Sequence, residues 1–121
     1  MKKAVIILGH GSRGGGNDAA LKRIAEALQR SGGGEIIEHA FLQYAQPTAD
    51  AALDRCIKQG AKEIVIVPFF MQAGAHVTRD IPEFILKART LHPECKIRLT
   101  DHVGDHPLMK QIVMDLVSKA K

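Results

Sequence analysis

The spacing of apolar positions changes regularly along the chain, and this change separates predicted strands from predicted helices. Four short runs are predicted as strands, and two of them, residues 3–8 and 62–70, are apolar almost throughout, which is typical of strands covered on both faces of a sheet. Between and after these runs, apolar residues recur three and four positions apart, as on one face of a helix. The predicted strands span residues 3–8, 35–43, 62–70 and 96–100.

The segments with helical spacing carry recognisable start and stop signals. Asn17 is predicted to cap a first helix over 17–30, and a second helix begins at Pro47 and Thr48 and ends at Gly60. A third helix is expected to begin near 78–80, with Pro82 in its first turn, and a fourth covers 106–120. The predicted inward faces are Leu21, Ile24, Ala25 and Leu28; Ala49, Ala52, Leu53, Cys56 and Ile57; Ile81, Phe84, Ile85, Ala88 and Leu91; and Leu108, Met109, Ile112, Val113, Leu116 and Val117.

Strands that alternate with helices predict an α/β fold with a parallel sheet. Right-handed crossovers in a doubly wound topology favour the strand order 2-1-3-4, with helices on both faces. Residues 1–121 then form a single domain. Ligands of such sheets bind beyond the carboxyl ends of the strands, where the winding direction reverses. In this chain that crevice lies between strands 1 and 3.

Composition narrows the class of protein. Apolar residues make up 45% of the 121 residues and charged residues 25%, as in an ordinary globular domain. No apolar run approaches the roughly 20 residues that span a membrane, and the run after the initial lysines is too short for a signal peptide. We therefore expect a cytoplasmic protein that does not enter a membrane, with Cys56 and Cys95 as reduced thiols.

The formal net charge of +4 favours an anionic partner. Nucleic acid is a poor candidate, because aromatic residues make up only 4% of the chain, tryptophan is absent, and lysines and arginines are scattered. A small polyanion is compatible with this charge.

The segment GHGSRG, residues 9–14, formally matches the G-x-G-x-x-G pattern of a dinucleotide-binding turn. That interpretation needs an acidic residue at the end of the second strand, where this chain has Phe41, Leu42 and Gln43. Gly14, Gly15 and Gly16 also postpone the next helix beyond the motif. The loop therefore points to another role, in which it presents His10.

Two histidines follow the two strands that flank the predicted crevice. His10 comes after strand 1, and His76 comes after strand 3. Because these strands are neighbours in the predicted order, we expect both imidazoles to face one crevice. Imidazole binds cobalt, nickel, iron and zinc, and it accepts protons near neutral pH. Two such ligands are too few for a structural zinc site and suit a metal that is held briefly and passed on.

The other histidines are weaker candidates. His39 lies within a strand and is expected to be packed, and His92 lies at a helix end beside Pro93. His102 and His106 follow strand 4 and could reach the rim of the crevice.

The segments VIILGHGSR, GAKEIVIVPFFMQAGAHVTRDIP and VGDHPLM together resemble the short, single-domain CbiX-type sirohydrochlorin chelatases of the class II chelatase superfamily. The similarity extends over nearly the whole chain. It implies a homodimeric enzyme that inserts a divalent metal, usually cobalt(II), into sirohydrochlorin during cobalamin synthesis. Related enzymes insert nickel or iron. The metal is then a substrate, and no permanently bound cofactor is expected.

The resemblance assigns catalysis and metal handling to His10 and His76. Many members have an acidic residue at the position of Gln43, which cannot take a proton or supply negative charge to a metal, so an acid–base role there is in doubt. Arg79 is expected near the start of a helix, and it either binds substrate carboxylates or pairs with Asp80. The predicted substrate-binding residues are Gly11, Ser12, Arg13, Gln43, Gly74 and Arg79.

Two other functions share some of these features. A phosphotransfer enzyme with a nucleophilic His10 would need an arginine directly before the histidine, where this chain has Gly9. A carrier of metal or tetrapyrrole would have the same site without turnover, and the sequence does not separate a carrier from a catalyst.

Overall fold

The computed structural model describes residues 2–12, 18–72 and 74–121, and for His76 and Val77 it describes the backbone alone. Four strands alternate with four helices, and a short 3-10 turn, Val103–Asp105, precedes the last helix. The elements are β1 Lys3–Gly9, α1 Asp18–Ser31, β2 Ile36–Phe41, α2 Ala49–Lys58, β3 Glu63–Pro68, α3 Ala75–Leu91, β4 Lys96–Leu99 and α4 Met109–Ser118. The cap predicted at Asn17 lies outside the described residues.

The four strands form one parallel sheet in the order β2-β1-β3-β4, which confirms the predicted fold. The register pairs Leu8 of β1 with Ala40 of β2 and with Pro68 of β3. The ends of β1 and β3 therefore lie side by side at the carboxyl edge of the sheet. This edge is where the sequence places the crevice.

The larger core lies between the sheet and helices α2 and α3. Ala4, Ile6 and Leu8 of β1 are fully buried there, because alternate residues of a strand point to the same face. A smaller cluster forms on the opposite face, where Leu21 of α1 packs near Ile7 and Phe41. Helix α1 covers β1 and β2 on this side.

Helix α2 agrees with its predicted boundaries and inward face. The Thr48 hydroxyl accepts a hydrogen bond from the Ala51 N–H at 3.1 Å, which satisfies one of the free donors of the first turn. Ala49, Ala52, Leu53 and Cys56 are buried against the sheet.

Both thiols lie in the α2–α3 core. Cys56 and Cys95 are free and buried, and burial raises the pKa of the Cys56 thiol to about 12. The thiolate form is therefore suppressed at Cys56.

Several predicted boundaries were wrong, among them the start of the fourth helix, which lies at Met109 and not at residue 106. Strand β2 ends at Phe41 and not at Gln43, and β3 ends at Pro68 and not at Phe70. A proline donates no hydrogen bond to a sheet, so it is a natural last residue of a strand. Helix α3 begins at Ala75, which makes Pro82 its eighth residue and places His76 within the first turn.

The predicted inward faces of three helices also need correction. Ile24 and Leu28 of α1 and Leu91 of α3 are exposed, because the sheet is too small to cover the whole apolar face of each helix. The last helix differs most from its prediction, because α4 contains no buried residue. Its predicted inward side chains Leu108, Ile112, Val113, Leu116 and Val117 are 49% to 70% exposed. Met109 is half-buried, and the rest of this apolar face is left uncovered by the described residues of the chain.

Among the described residues, no helix combines the length and the apolarity needed to cross a membrane.

Candidate active site

A cleft of about 530 Å³ opens at the carboxyl ends of β1 and β3. One wall is formed by the segment that follows β1, from Gly9 to Ser12, and the other by the segment that follows β3, from Phe69 to Met71. The first residues of α1 close one side, and the buried ring of Phe41 forms part of the floor. The cleft lies where the topology predicts a ligand.

His10 lies in this cleft with its imidazole partly buried and held at both nitrogens. Its Nδ1 lies 3.2 Å from the carbonyl oxygen of Gly11, and its Nε2 lies 2.9 Å from Nε2 of Gln43. A carbonyl accepts and an amide nitrogen donates, so both contacts are satisfied by the neutral tautomer that carries its proton on Nδ1. The lone pair of Nε2 is then directed at the Gln43 amide.

The backbone explains how Gln43 reaches the histidine. After β2 ends, the Leu42 N–H donates to the Gly9 carbonyl and the Gln43 N–H to the His10 carbonyl, both at 3.0 Å. The segment after β2 thus continues alongside the segment after β1, which places residue 43 beside residue 10. The sequence predicted Gln43 at this edge but not the contact between the two side chains.

The glycine that follows His10 is required by this close approach. Gly11 has a φ of +92°, which side-chain-bearing residues rarely adopt, and a Cβ there would fall on the carbonyl oxygen of Gln43. The glycine therefore serves the packing of two loops, and phosphate binding is not needed to explain it.

Ser12 contributes a buried polar atom to the cleft. Its Oγ has no hydrogen-bond partner among the residues that the structure describes. Because a buried hydroxyl without a partner costs free energy, it is suited to a polar group of a bound ligand.

The apolar wall after β3 was missed by the sequence analysis, which assigned Phe69 and Phe70 to the strand. Both rings are half-buried and line the cleft. The signal that could have found them is Pro68, because a proline at the end of an apolar run marks the end of the strand.

This wall is also attached to the segment after β4. The Gly104 N–H donates to the Phe70 carbonyl at 2.9 Å, and a Cβ at residue 104 would fall on the Met71 carbonyl oxygen.

The remaining predicted site residues are not all brought to the cleft. Gly74 is the cap residue that precedes α3, and Arg79 lies one turn later with Nε 3.8 Å from Oδ1 of Asp80. Neither is among the described residues that line the cleft, and the contact with Asp80 is one of the two roles expected for Arg79. The backbone of His76 follows β3 as predicted, whereas Arg13 lies outside the described residues. The shared role of His10 and His76 stays a prediction.

The other histidines lie elsewhere. His39 packs edge-on against Phe41 with ring centres 5.9 Å apart, and burial lowers its pKa below the usual 6.5. His92 caps the carboxyl-terminal end of α3, and its ring lies near Asp54 and Glu94. His102 and His106 line a second groove, whose described lining does not include His10. Among the described side chains, no group of three or more His, Cys, Asp or Glu residues could hold a metal ion.

Curated proteins similar to this chain are named as sirohydrochlorin chelatases. The sirohydrochlorin cobaltochelatase of Methanocaldococcus jannaschii is 36% identical over 83 residues, which are 69% of this chain and 58% of that protein. The chloroplastic sirohydrochlorin ferrochelatase of Arabidopsis thaliana is 31% identical over 113 residues, which are 93% of this chain and 50% of that protein. The chain thus spans roughly half the length of the curated relatives it matches.

A solved structure and a family model extend this likeness. The sirohydrochlorin chelatase SirB of Bacillus subtilis subspecies spizizenii, solved in complex with cobalt, superposes with a TM-score of 0.85 at 28% identity. The match covers 98% of this chain and 51% of that one. The CbiX family model matches residues 4–120. The chain therefore belongs to the CbiX family.

Proposed function

We propose that this chain is a chelatase that inserts cobalt(II) into sirohydrochlorin in the cytoplasm, as a step of cobalamin synthesis. Nickel and iron are the alternative metals, and the names of the relatives include both cobalt and iron chelatases. The metal enters as a substrate and leaves in the product.

The observation that carries the proposal is the environment of His10. The imidazole lies in an open cleft, with Nε2 held by one hydrogen bond to the Gln43 side-chain amide. The Nδ1–H bond to Gly11 fixes the orientation of the ring, as the outer hydrogen bond of a metal-binding histidine commonly does. When the Gln43 amide turns away, the lone pair of Nε2 becomes available to a metal ion.

The rest of the cleft suits the macrocycle. The rings of Phe41, Phe69 and Phe70 offer apolar contact to a flat tetrapyrrole, and Ser12 offers a buried hydroxyl to one of its carboxylates. The positive net charge of the chain favours a substrate that carries eight carboxylates.

Insertion exchanges one divalent cation for two pyrrole protons. A neutral imidazole can bind the ion before transfer, and once the ion has moved into the ring, the same nitrogen can accept one of the released protons. The second proton goes to His76 or to water. His10 and His76 are the proposed catalytic and metal-binding residues, with Gly11, Ser12, Arg13, Gln43, Gly74 and Arg79 as proposed substrate contacts.

The working unit of the proposal is a homodimer. The cleft of one chain, about 530 Å³ in volume, is open to solvent on one side, whereas a site for a small molecule usually covers most of the ligand surface. A second copy supplies the opposite wall and a second set of histidines.

Absorbance spectra of sirohydrochlorin test the proposal. Each of cobalt(II), nickel(II) and iron(II) is added with and without protein, at a protein concentration well below that of the tetrapyrrole. A catalyst converts many equivalents and accelerates one metal most. Conversion that stops at one equivalent per protein indicates a carrier, and conversion no faster than without protein contradicts the proposal.

A further inference from the structure

Tyr44 has a backbone conformation that aromatic residues rarely adopt. Its φ is +64°, and among the described residues Tyr44 alone combines a positive φ with a side chain. This conformation brings Cβ close to the neighbouring carbonyl oxygen and costs free energy, a cost that proteins commonly retain where a ligand is held. The ring is 56% exposed, so burial in the core of its own chain does not account for the conformation.

Backbone contacts place Tyr44 beside the cleft. The Gln43 N–H donates to the His10 carbonyl at 3.0 Å, which holds the segment after β2 against the segment that carries the histidine. A Cβ on Gly11, which lines the cleft, would lie 2.9 Å from the carbonyl carbon of Gln43. The backbone nitrogen of Tyr44 is bonded to that carbon. Tyr44 therefore adjoins the wall of the cleft that presents His10.

The strand order places aromatic residues on both sides of His10. The segment after β1, with His10, lies between the segments after β2 and β3. Tyr44 follows β2, whereas Phe69 and Phe70 follow β3 and line the cleft. Neighbouring strands lie about 4.8 Å apart, so segments on either side of one strand begin about 10 Å from each other. This separation leaves room for one flat macrocycle above the histidine.

The aromatic residues of the chain are concentrated at this edge of the sheet. The chain contains four phenylalanines, one tyrosine and no tryptophan. Three of the phenylalanines line the cleft, and the single tyrosine adjoins it. An aromatic ring offers a large contact area and loses little conformational entropy when it is fixed. A half-exposed ring at the edge of a cleft is therefore well suited to contact a flat ligand.

We propose that Tyr44 is a further substrate-binding residue, whose ring packs against the macrocycle of sirohydrochlorin on the side of His10 opposite to Phe69 and Phe70. The inference rests on the proposed function and adds a contact to its site. Stacking of aromatic faces adds to the free energy of apolar contact. The positive φ fixes the direction in which the ring leaves the loop, so the strained backbone serves binding.

Binding of metal-free sirohydrochlorin to three variants tests this contact. Tyr44→Asn removes the ring and keeps the backbone, because asparagine adopts a positive φ more readily than most residues. Tyr44→Phe keeps the ring without its hydroxyl, and Leu86→Ala removes an exposed apolar side chain of α3 as a matched control. We expect a dissociation constant raised about 10-fold for Tyr44→Asn and changed by less than about 2-fold for the other two. An unchanged constant in Tyr44→Asn, or an equal rise in Tyr44→Phe, would overturn the inference.

Nuclear magnetic resonance of ring-labelled tyrosine provides a second measurement on the unsubstituted protein. Tyr44 is the only tyrosine of the chain, so its ring signal is identified directly. The ring current of a macrocycle packed on its face should shift this signal upfield, and binding without such a shift would overturn the inference.

Two further outcomes separate the contact from other roles. Light scattering should give the same mass for Tyr44→Asn as for the unsubstituted protein, and a loss of association would assign the ring to a subunit contact and overturn the inference. If the unsubstituted protein does not bind sirohydrochlorin, the proposed function fails together with the inference. Binding that is independent of Tyr44 contradicts the inference alone.

Discussion

Gln43 donates a side-chain hydrogen bond to Nε2 of His10 across 2.9 Å, although 33 positions separate the two residues. The same nitrogen is the one that a metal ion would need. In the proposed reaction the Gln43 amide therefore has two tasks. It orients the imidazole before a metal ion binds, and it moves away from Nε2 when the ion binds there.

His10→Ala and His76→Ala should each slow metal insertion by about 100-fold or more, because each variant removes a ligand and a proton acceptor. The fold should remain, since His10 lies at the open edge of the sheet. Insertion rates with cobalt(II) and far-ultraviolet circular dichroism check both expectations. His92→Ala, at the far end of α3, is the matched control and should retain the full rate. Unchanged rates in both site variants would remove these histidines from the mechanism.

Gln43→Glu should be tolerated and should tighten cobalt(II) binding, because it adds a negative charge beside Nε2 of His10. Calorimetric titration with cobalt(II), nickel(II) and iron(II) measures the change and any altered preference among the metals. Gln43→Met is the control, since it keeps the length of the side chain and removes its hydrogen bond. Identical behaviour of all three proteins with every metal would show that residue 43 takes no part in the chemistry.

Gly11→Ala should lower the free energy of unfolding by about 3 kcal/mol, because it forces a positive φ on alanine and pushes the methyl group against the Gln43 carbonyl. Urea unfolding measures the loss. Gly74→Ala is the matched control: no heavy atom lies within 4 Å of its added Cβ, so the change should stay below about 1 kcal/mol. Equal losses in the two variants would contradict the tight approach of the two loops.

The stability of the protein should fall as the pH is lowered through 6.5, in part because of His39. Burial lowers the pKa of His39 in the folded protein, so below its usual value of 6.5 the unfolded chain binds more protons than the folded one. The stabilising contribution is complete above 6.5 and is lost as the pH falls towards the lowered value. Urea unfolding between about pH 7.5 and about pH 5.5 should show a smaller slope in His39→Gln. An equal slope in the two proteins would argue against a lowered pKa of the partly buried His39.

The sheet could be predicted because its order depends on general rules. Four predicted strands that alternate with helices allow few arrangements, and right-handed crossovers favour the observed one. The same logic placed His10 and Gln43 at one edge. It could not predict their hydrogen bond, because that contact depends on the positive φ of Gly11 and on a backbone path beyond the strand ends.

Helix α4 shows the limit of periodicity. The spacing from Leu108 to Val117 correctly predicted a helix with an apolar face. The spacing of apolar residues does not tell, however, whether the rest of the chain covers that face. The apolar runs likewise continued through Phe69 and Phe70, because the side chains that line a cleft are as apolar as those of a strand.

The hydrogen bond from the Gly104 N–H to the Phe70 carbonyl ties the turn before α4 to the wall of the cleft. Gly104 lies in the short turn that leads into α4, and its backbone rests directly on the segment that forms the aromatic wall of the cleft. Any side chain introduced at residue 104 must displace the backbone of Met71, so the damage would spread in both directions, towards the aromatic wall of the cleft and towards the start of α4. A substitution at this glycine would therefore disturb the shape of the cleft, although residue 104 does not line it.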